Sequence, residues 1–328
     1  MASGGPPIGD NHPVSHMSGP GSPPAHRSGF ACIVGRPNTG KSTLTNALVG
    51  QKVAITSDRP QTTRHTIRGI VTRPGAQLVL VDTPGFHRPR TLLGERLNDL
   101  VRGTLAEVDA VALCIPADQK IGPGDRFIAT EMAKAGPRRS AVAVVTKTDL
   151  VGKAQVAEQL LAVMRLGADV GLDFAEVVPV SAVRGDQVEL LADLLTARLP
   201  AGPVLYPDGE LTDSPELVMV AELIREAALE GVRDELPHSL AVVVEEMVPR
   251  PDRPADSPLL DIRAEVYVER PSQKGIVIGK GGERLRHVGT TARHQIEALL
   301  GTAVYLDLHV RVAKDWQRDP KQLRKLGF

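Results

Sequence analysis

The sequence predicts an α/β nucleotide-binding domain, doubly wound around a mainly parallel sheet, followed by a smaller α+β unit. Three observations carry that reading. The apolar run Phe30-Ala31-Cys32-Ile33-Val34 leads directly into Gly35-Arg36-Pro37-Asn38-Thr39-Gly40-Lys41-Ser42, and Thr43 to Val49 suit a helix; strand, G-x-x-x-x-G-K-S and helix together are a phosphate-binding loop. Residues 30–199 alternate strand and helix patterns, as a parallel sheet with crossover helices requires. Residues 200–213 are rich in Pro and Gly and break the alternation, and the element order changes beyond them.

Strands read at 30–35, 66–72, 77–82, 109–116, 140–146 and 176–181, and helices at 40–49, 92–107, 124–135, 153–166 and 187–199. Arg73-Pro74-Gly75-Ala76 is short enough to make the second and third strands an antiparallel hairpin. Gln51 to His65, with Pro60, is polar and aperiodic and reads as a mobile loop; Phe86 to Arg90 is a second irregular stretch. After the linker, Thr212-Asp213-Ser214 ahead of Pro215-Glu216 is a helix start. The helix at 216–231 places Leu217, Val220, Ala221, Ile224, Ala227 and Ala228 on one face. Strands at 240–248 and 259–269, a short helix at 272–278, a Gly-rich turn, a helix at 283–300 and a strand at 303–313 complete an α-β-β-α-α-β order. The expected division is a disordered tail at 1–28, the nucleotide-binding domain at 29–199, a linker at 200–213, the second domain at 214–313 and a basic helix or tail at 314–328.

At 328 residues, with 42% hydrophobic and 24% charged side chains, the chain can build two ordinary cores. No apolar run approaches the ~20 residues a membrane-spanning helix needs. Residues 1–28 have no apolar core and a single Arg27, which excludes a signal peptide. The histidines there, His12, His16 and His26, read as part of a solvated tail. Cys32 and Cys114 lie inside apolar strand patterns and read as buried free thiols in a reducing compartment. Net charge is zero, which argues against gross electrostatic attraction to nucleic acid. The distribution is uneven: residues 1–199 hold 22 basic and 18 acidic side chains, 200–264 hold 5 and 14, and 265–328 hold 12 and 7. A nucleic-acid surface therefore belongs to the last sixty-odd residues or to a local patch.

In the Gly35–Ser42 loop, successive N–H groups point at a β-phosphate, Lys41 reaches the β- and γ-phosphates, and Ser42 can ligate Mg²⁺. The helix that follows adds its dipole to the same anion. Val79-Leu80-Val81-Asp82-Thr83-Pro84-Gly85 is an apolar strand ending in D-x-x-G, with Asp82 placed to hold Mg²⁺ through water and the Gly85 N–H to sense the γ-phosphate. Ala141 to Val145 run into Thr146-Lys147-Thr148-Asp149. The Asp149 carboxylate can accept from both N1 and N2 of guanine, a pattern adenine lacks. Val177-Val178-Pro179-Val180 ends in Ser181-Ala182, whose backbone can meet guanine O6. All these motifs sit at strand C-termini, where open α/β sheets bind ligands.

The second constellation is Ile276-Val277-Ile278-Gly279-Lys280-Gly281-Gly282-Glu283-Arg284, a G-K-G-G turn between two helices. In a KH-type module such a turn clamps a single-stranded RNA backbone. Lys274, Lys280, Arg284 and Arg286 supply charge around Gly279, Gly281 and Gly282. Trp316, after Lys314-Asp315, either stacks on a base or packs the last helix onto the domain.

With these motifs in one order, the chain resembles the bacterial Era GTPase family, which carries a type II KH domain. The likeness covers about residues 28–328. Its marks are Gly35 to Asn38, Pro60-Gln61-Thr62-Thr63-Arg64-His65, Gly124-Asp125-Arg126-Phe127-Ile128, Leu236-Pro237-His238-Ser239, Ile278 to Gly282, Lys314-Asp315-Trp316 and Leu326-Gly327-Phe328. The resemblance implies a GTP-hydrolysing factor that binds the 3′ end of small-subunit ribosomal RNA and assists 30S assembly. It implies GTP and GDP as ligands, Mg²⁺ held by Ser42, Thr63 and Asp82, and Lys41, Thr63 and Gly85 as the catalytic set. A potassium ion is expected through Asn38. A cytoplasmic monomer without an obligate protein partner is expected. The basic surface near 311–328 would permit peripheral contact at the inner face of the membrane. The family usually has Asn where this chain has Thr146; Asn both bonds the base and ties to the cradle, and Thr can make only part of that network. Phe86 stands where many small GTPases carry a water-orienting Gln, so weak intrinsic turnover is expected. Two other readings use the same residues: a nucleotide-sensing RNA chaperone with incidental hydrolysis, and a membrane-associated regulator of growth.

Overall fold

A computed structural model describes residues 26–56, 63–86, 89, 91–134, 140–232, 236–254 and 256–328. The expected tail up to residue 25, the motif residues Pro60, Gln61 and Thr62, and most of the stretch after Phe86 lie outside the described residues. The first unit contains β1 (Arg27–Val34), α1 (Lys41–Val49), β2 (Ile67–Arg73), β3 (Ala76–Asp82), α2 (Leu92–Glu107), β4 (Ala110–Pro116), α3 (Pro123–Lys134), β5 (Ser140–Thr146), α4 (Lys153–Val170), β6 (Phe174–Pro179) and α5 (Val188–Thr196). Its six strands lie in the order β2-β3-β1-β4-β5-β6. Only β2 runs antiparallel, to β3 through the 73–76 turn.

The apolar strands are buried on both faces, so neighbours along a strand enter different cores. Ala31 and Ile33 pack with Leu44, Leu48, Leu191 and Leu195 of α1 and α5. Cys32 and Val34 pack with Val101, Ile128, Val163 and other residues of α2, α3 and α4. Both cysteines are buried thiols.

The second unit contains α6 (Glu216–Leu229), α7 (Leu236–Ser239), β7 (Ala241–Pro249), β8 (Leu259–Val268), α8 (Pro271–Ile278), α9 (Glu283–Leu300), β9 (Ala303–Val312) and α10 (Pro320–Lys325). β7 pairs antiparallel with β8, and β8 pairs parallel with β9. α6 and α9 cover one face with Val220, Ile224, Ala228, Val288, Ala292 and Ile296. The one-turn α7 was absent from the sequence reading, because four residues carry no helical period.

Two changes of detail follow from the fold. The 200–213 linker lies against the first unit. The Gly202 N–H donates to His26 O at 2.9 Å and the Ile70 N–H to Leu211 O at 2.8 Å. The fully buried Gln77 accepts from the N–H groups of Leu205 and Tyr206 at 2.8 and 2.9 Å. Pro and Gly here shape a strap along the sheet edge rather than loosen it. The second change concerns Trp316. It is fully buried, and its indole N–H donates to Ser239 O at 3.0 Å. Of the two roles left open for it, packing is the one the fold uses.

Candidate functional site

The cradle opens at the C-terminal end of β1, beside β4, where the strand order reverses. Gly40 precedes α1 with φ 89°, a conformation that aims the first helical N–H groups inward. A cavity of about 50 Å³ is lined by Pro37, Asn38, Gly40, Lys41, Ser42, Thr43, Ile55, Thr56, Thr63 and Gly85. Gly85 is required sterically, since a Cβ there would meet the backbone N of Pro37 at 2.8 Å. The Lys41 ammonium donates to Arg36 O at 2.9 Å, and burial pulls its pKa below the ordinary value. A buried lysine held by a carbonyl is poised for a stronger anionic acceptor.

Three hard oxygens converge beside it. Ser42 Oγ donates to Asp82 Oδ2 at 2.7 Å, Thr63 Oγ1 donates to the same oxygen at 3.3 Å, and the two hydroxyls lie 2.9 Å apart. Asp82 Oδ1 is buried with no hydrogen-bond partner among the described residues. Burial pushes the Asp82 carboxyl up to about 6, against the pull of Lys41. An orphaned carboxylate oxygen amid hydroxyl donors fits a small divalent cation such as Mg²⁺.

Some residues expected at the phosphates face elsewhere. The Arg36 side chain turns away and pairs with the buried Asp125 at 2.7 Å, so its contribution to the cradle is its carbonyl. That pairing gives Asp125 of the Gly124-Asp125 motif its structural reason. The Thr83 hydroxyl donates inward to Ile33 O at 2.9 Å. Thr39 Oγ1 likewise donates to Arg36 O at 3.0 Å. Phe86 is fully buried against Phe127, so no side chain there can orient water.

At the base end, Thr146 Oγ1 donates to Thr39 O at 2.6 Å and Ser181 Oγ to Asp149 Oδ1 at 2.7 Å. Lys147 takes a positive φ of 57°, turning the chain between β5 and the Asp149 turn, and Ala182 is half-buried beside Ser181.

The G-K-G-G turn joins α8 to α9, with Lys280, Gly281 and Arg286 exposed and Lys274 half-buried. Gly281 has φ 59° and open space where a Cβ would stand. Arg284 departs from expectation: its guanidinium donates to Ala228 O at 3.2 Å and Glu230 O at 2.7 Å, tying α9 to the end of α6. Beside the turn, a groove of about 470 Å³ between α9 and β9 is lined by Leu285, Arg286, Gly289, Arg293, Tyr305, Leu306 and Leu308, with Gly282, Thr290 and Val304. Sequence reading missed this groove. Its signals were Gly289 inside the helical pattern and alternating Val304, Leu306 and Leu308. Arg250, paired with Asp261, stacks over exposed Tyr305 at 5.1 Å.

Between the two sites lies a seam. Thr63 faces Asp82, and the next residue, Arg64, is fully buried against the second unit. Arg64 donates to Leu240 O at 2.7 Å and lies 5.5 Å from the Trp316 ring and 5.9 Å from Phe328. His65 stacks on Phe328 at 5.1 Å. Leu93 and Leu97 of α2 pack with Trp316, Leu323 and Leu326, and Arg96 donates to Phe328 O at 2.6 Å. On the opposite flank, Ile55 joins the core of the second unit, and Glu226 accepts from the Thr56 N–H at 2.8 Å and pairs with Lys52.

Comparison with known proteins agrees with this geometry. Residues 30–147 match the family described as 50S ribosome-binding GTPase, and residues 235–317 match the KH domain. The chain is 73% identical to GTPase Era of Streptomyces coelicolor over 92% of its own length and 95% of the relative's. Identity to GTPase Era of a Nocardioides species is 71%, covering 94% and 99%. A crystal structure of Era in complex with MgGDPNP and nucleotides 1506–1542 of 16S ribosomal RNA superposes with a TM-score of 0.86 at 35% identity, covering 92% of this chain and 99% of that one. A phosphate-loop cradle with its Asp82 strand and a KH domain on one chain, at that level of identity, place this protein in the Era family of GTPases.

Proposed function

We propose that this chain hydrolyses GTP to GDP and phosphate, and that the bound nucleotide governs a KH groove that holds the 3′ end of small-subunit ribosomal RNA during 30S assembly. The observation that carries the coupling is the adjacency of Thr63, aimed at the metal site, and Arg64, buried in the KH seam. A change at one is a change at the other, because consecutive backbone cannot move independently.

Ser42, Thr63 and Asp82 would hold Mg²⁺, which would supply charge against the β- and γ-phosphates. Lys41 and the cradle N–H groups stabilise the charge that develops as water attacks in line. With Phe86 buried, the position after Gly85 offers no side chain to orient that water, which supports slow intrinsic turnover. Asn38, at φ 63° in the cradle, is the candidate ligand for a potassium ion. Exchange of K⁺ for Na⁺ is expected to slow hydrolysis several-fold in the wild type and not in Asn38→Ala. On the RNA side, Lys280 and Arg286 meet phosphates while the α9–β9 groove takes unstacked bases.

The deciding experiment is multiple-turnover GTP hydrolysis with and without a single-stranded oligonucleotide from the ribosomal RNA 3′ end. Acceleration by the oligonucleotide is expected. An unchanged rate, with RNA bound, would instead favour a nucleotide-sensing RNA chaperone, the reading to which buried Phe86 also lends weight. The cytoplasm is the proposed compartment. No helix among the described residues is long and apolar enough to cross a membrane. Peripheral contact would rest on basic groups near 311–328, with flotation on anionic vesicles as its test.

A further inference from the structure

Guanine offers a pocket two donors, N1–H and N2–H, and two acceptors, O6 and N7. Reading the acceptors requires protein donors. Thr146 and Ser181 each bring one side-chain hydroxyl to the base end of this pocket, and each hydroxyl has one proton. The Thr146 proton is engaged by Thr39 O at 2.6 Å, and the Ser181 proton by Asp149 Oδ1 at 2.7 Å.

Thr146 has little freedom to do otherwise. It is buried, its carbonyl accepts from the Ala117 N–H at 2.8 Å, and its Oγ1 lies 3.9 Å from where a Cβ on Gly40 would stand. Breaking the bond to Thr39 would strand a buried carbonyl of the cradle. Nearby backbone donors are also engaged: the Ser181 N–H by Asp186 O at 3.1 Å and the Arg184 N–H by Ser181 Oγ at 3.2 Å. Arg184 turns its guanidinium to Asp149 O at 3.4 Å. The next N–H along, that of Ala182, suits O6, and Asp149 suits N1 and N2.

We infer that this pocket reads guanine through its Watson–Crick edge alone and leaves N7 unread. Thr146 is then a positioning residue that braces the cradle from behind Gly40, and base choice rests on Asp149 and backbone. The inference rests on the GTP-binding reading above.

The test is competition of GTP, 7-deaza-GTP and ATP against a fluorescent GDP analogue on the full chain. The 7-deaza analogue replaces N7 by C–H and changes nothing on the Watson–Crick edge. The wild type is expected to bind 7-deaza-GTP within about twofold of GTP. Thr146→Asn provides an amide with two protons, one for the cradle and one for the base, and is expected to favour GTP over 7-deaza-GTP at least fivefold. Thr146→Val removes the brace and is expected to weaken both nucleotides equally. A tenfold preference of the wild type for GTP over 7-deaza-GTP would overturn the inference and point to Lys147 as a donor to N7. ATP competing as well as GTP would overturn the guanine reading itself, a result distinct from the first.

Discussion

The Gly35–Ser42 cradle and the G-K-G-G turn beside the KH groove each combine glycines with a lysine, and they are built in opposite ways. In the pocket the lysine is buried, its charge disfavoured by burial, and a Cβ on Gly85 would strike the backbone of Pro37. At the turn beside the groove Lys280 is exposed, and a Cβ on Gly281 would meet open space. The pocket is a cavity of about 50 Å³, whereas the groove opens about 470 Å³. The pocket is thus organised before its ligand arrives, with low dielectric around the anion site, where each electrostatic contact is strong. The groove lies in high dielectric, where affinity for a nucleic-acid strand would come from many weak contacts, counterion release and stacking. One site suits a single small anion, and the other a flexible strand.

That contrast can be broken at four places. The largest effect is expected at the seam, which belongs to neither site. Trp316→Ala removes a fully buried indole and is expected to cost about 3–5 kcal/mol of stability. Under conditions where the variant stays folded, its RNA affinity should match the wild type. Thermal denaturation and filter binding together check this, and a stable variant with weakened RNA binding would return Trp316 to the groove.

Next in size is Lys41→Ala. Loss of a charge-assisted contact in the buried pocket is expected to weaken GTP on the order of a hundredfold, with RNA binding unchanged. Calorimetric titration measures the first and filter binding the second. A loss of only a few-fold would mean that the pocket is no more preorganised than the groove.

Aspartates at Lys280 and Gly281 together add two negative charges where an RNA backbone must pass. The expected loss of single-stranded RNA affinity is roughly tenfold or more, with a shallower salt dependence and unaltered GTP binding. Unaltered RNA affinity would reduce the turn to a helix connector. The smallest effect is expected from Tyr305→Ala, whose exposed ring already carries Arg250 on one face. About 1 kcal/mol of RNA affinity is expected to disappear. Thermal stability should hold, because the ring is more than half exposed.

The phosphate loop, the Asp82 strand, the Asp149 motif and the G-K-G-G turn were legible in the sequence because each is local. A fixed spacing of residue types is imposed by backbone geometry over a few residues, and continuous apolar runs mark the buried strands that carry the first three. Element order followed from the same local patterns. The antiparallel β2–β3 pair, for example, followed from a turn too short for a crossover.

What lay beyond the sequence is what distant segments do to each other. Arg36 and Arg284 are cations beside anion-binding motifs, yet Asp125 and the end of α6 engage them through contacts 89 and 54–56 residues away in sequence. Thr146 supplies the tie to the cradle because Thr39, 107 residues earlier, offers its carbonyl. The strap at 200–213 is ordered by Gln77 and β2, and Trp316 is buried by Ser239, Arg64 and Phe328. The sequence by itself determined which chemistries the chain carries and which strands and helices bear them, since those depend on neighbours along the chain. Tertiary structure alone decided which charged and aromatic side chains remain available to a ligand. A side chain's partner is set by what packs beside it in space, and spacing along the chain does not record that.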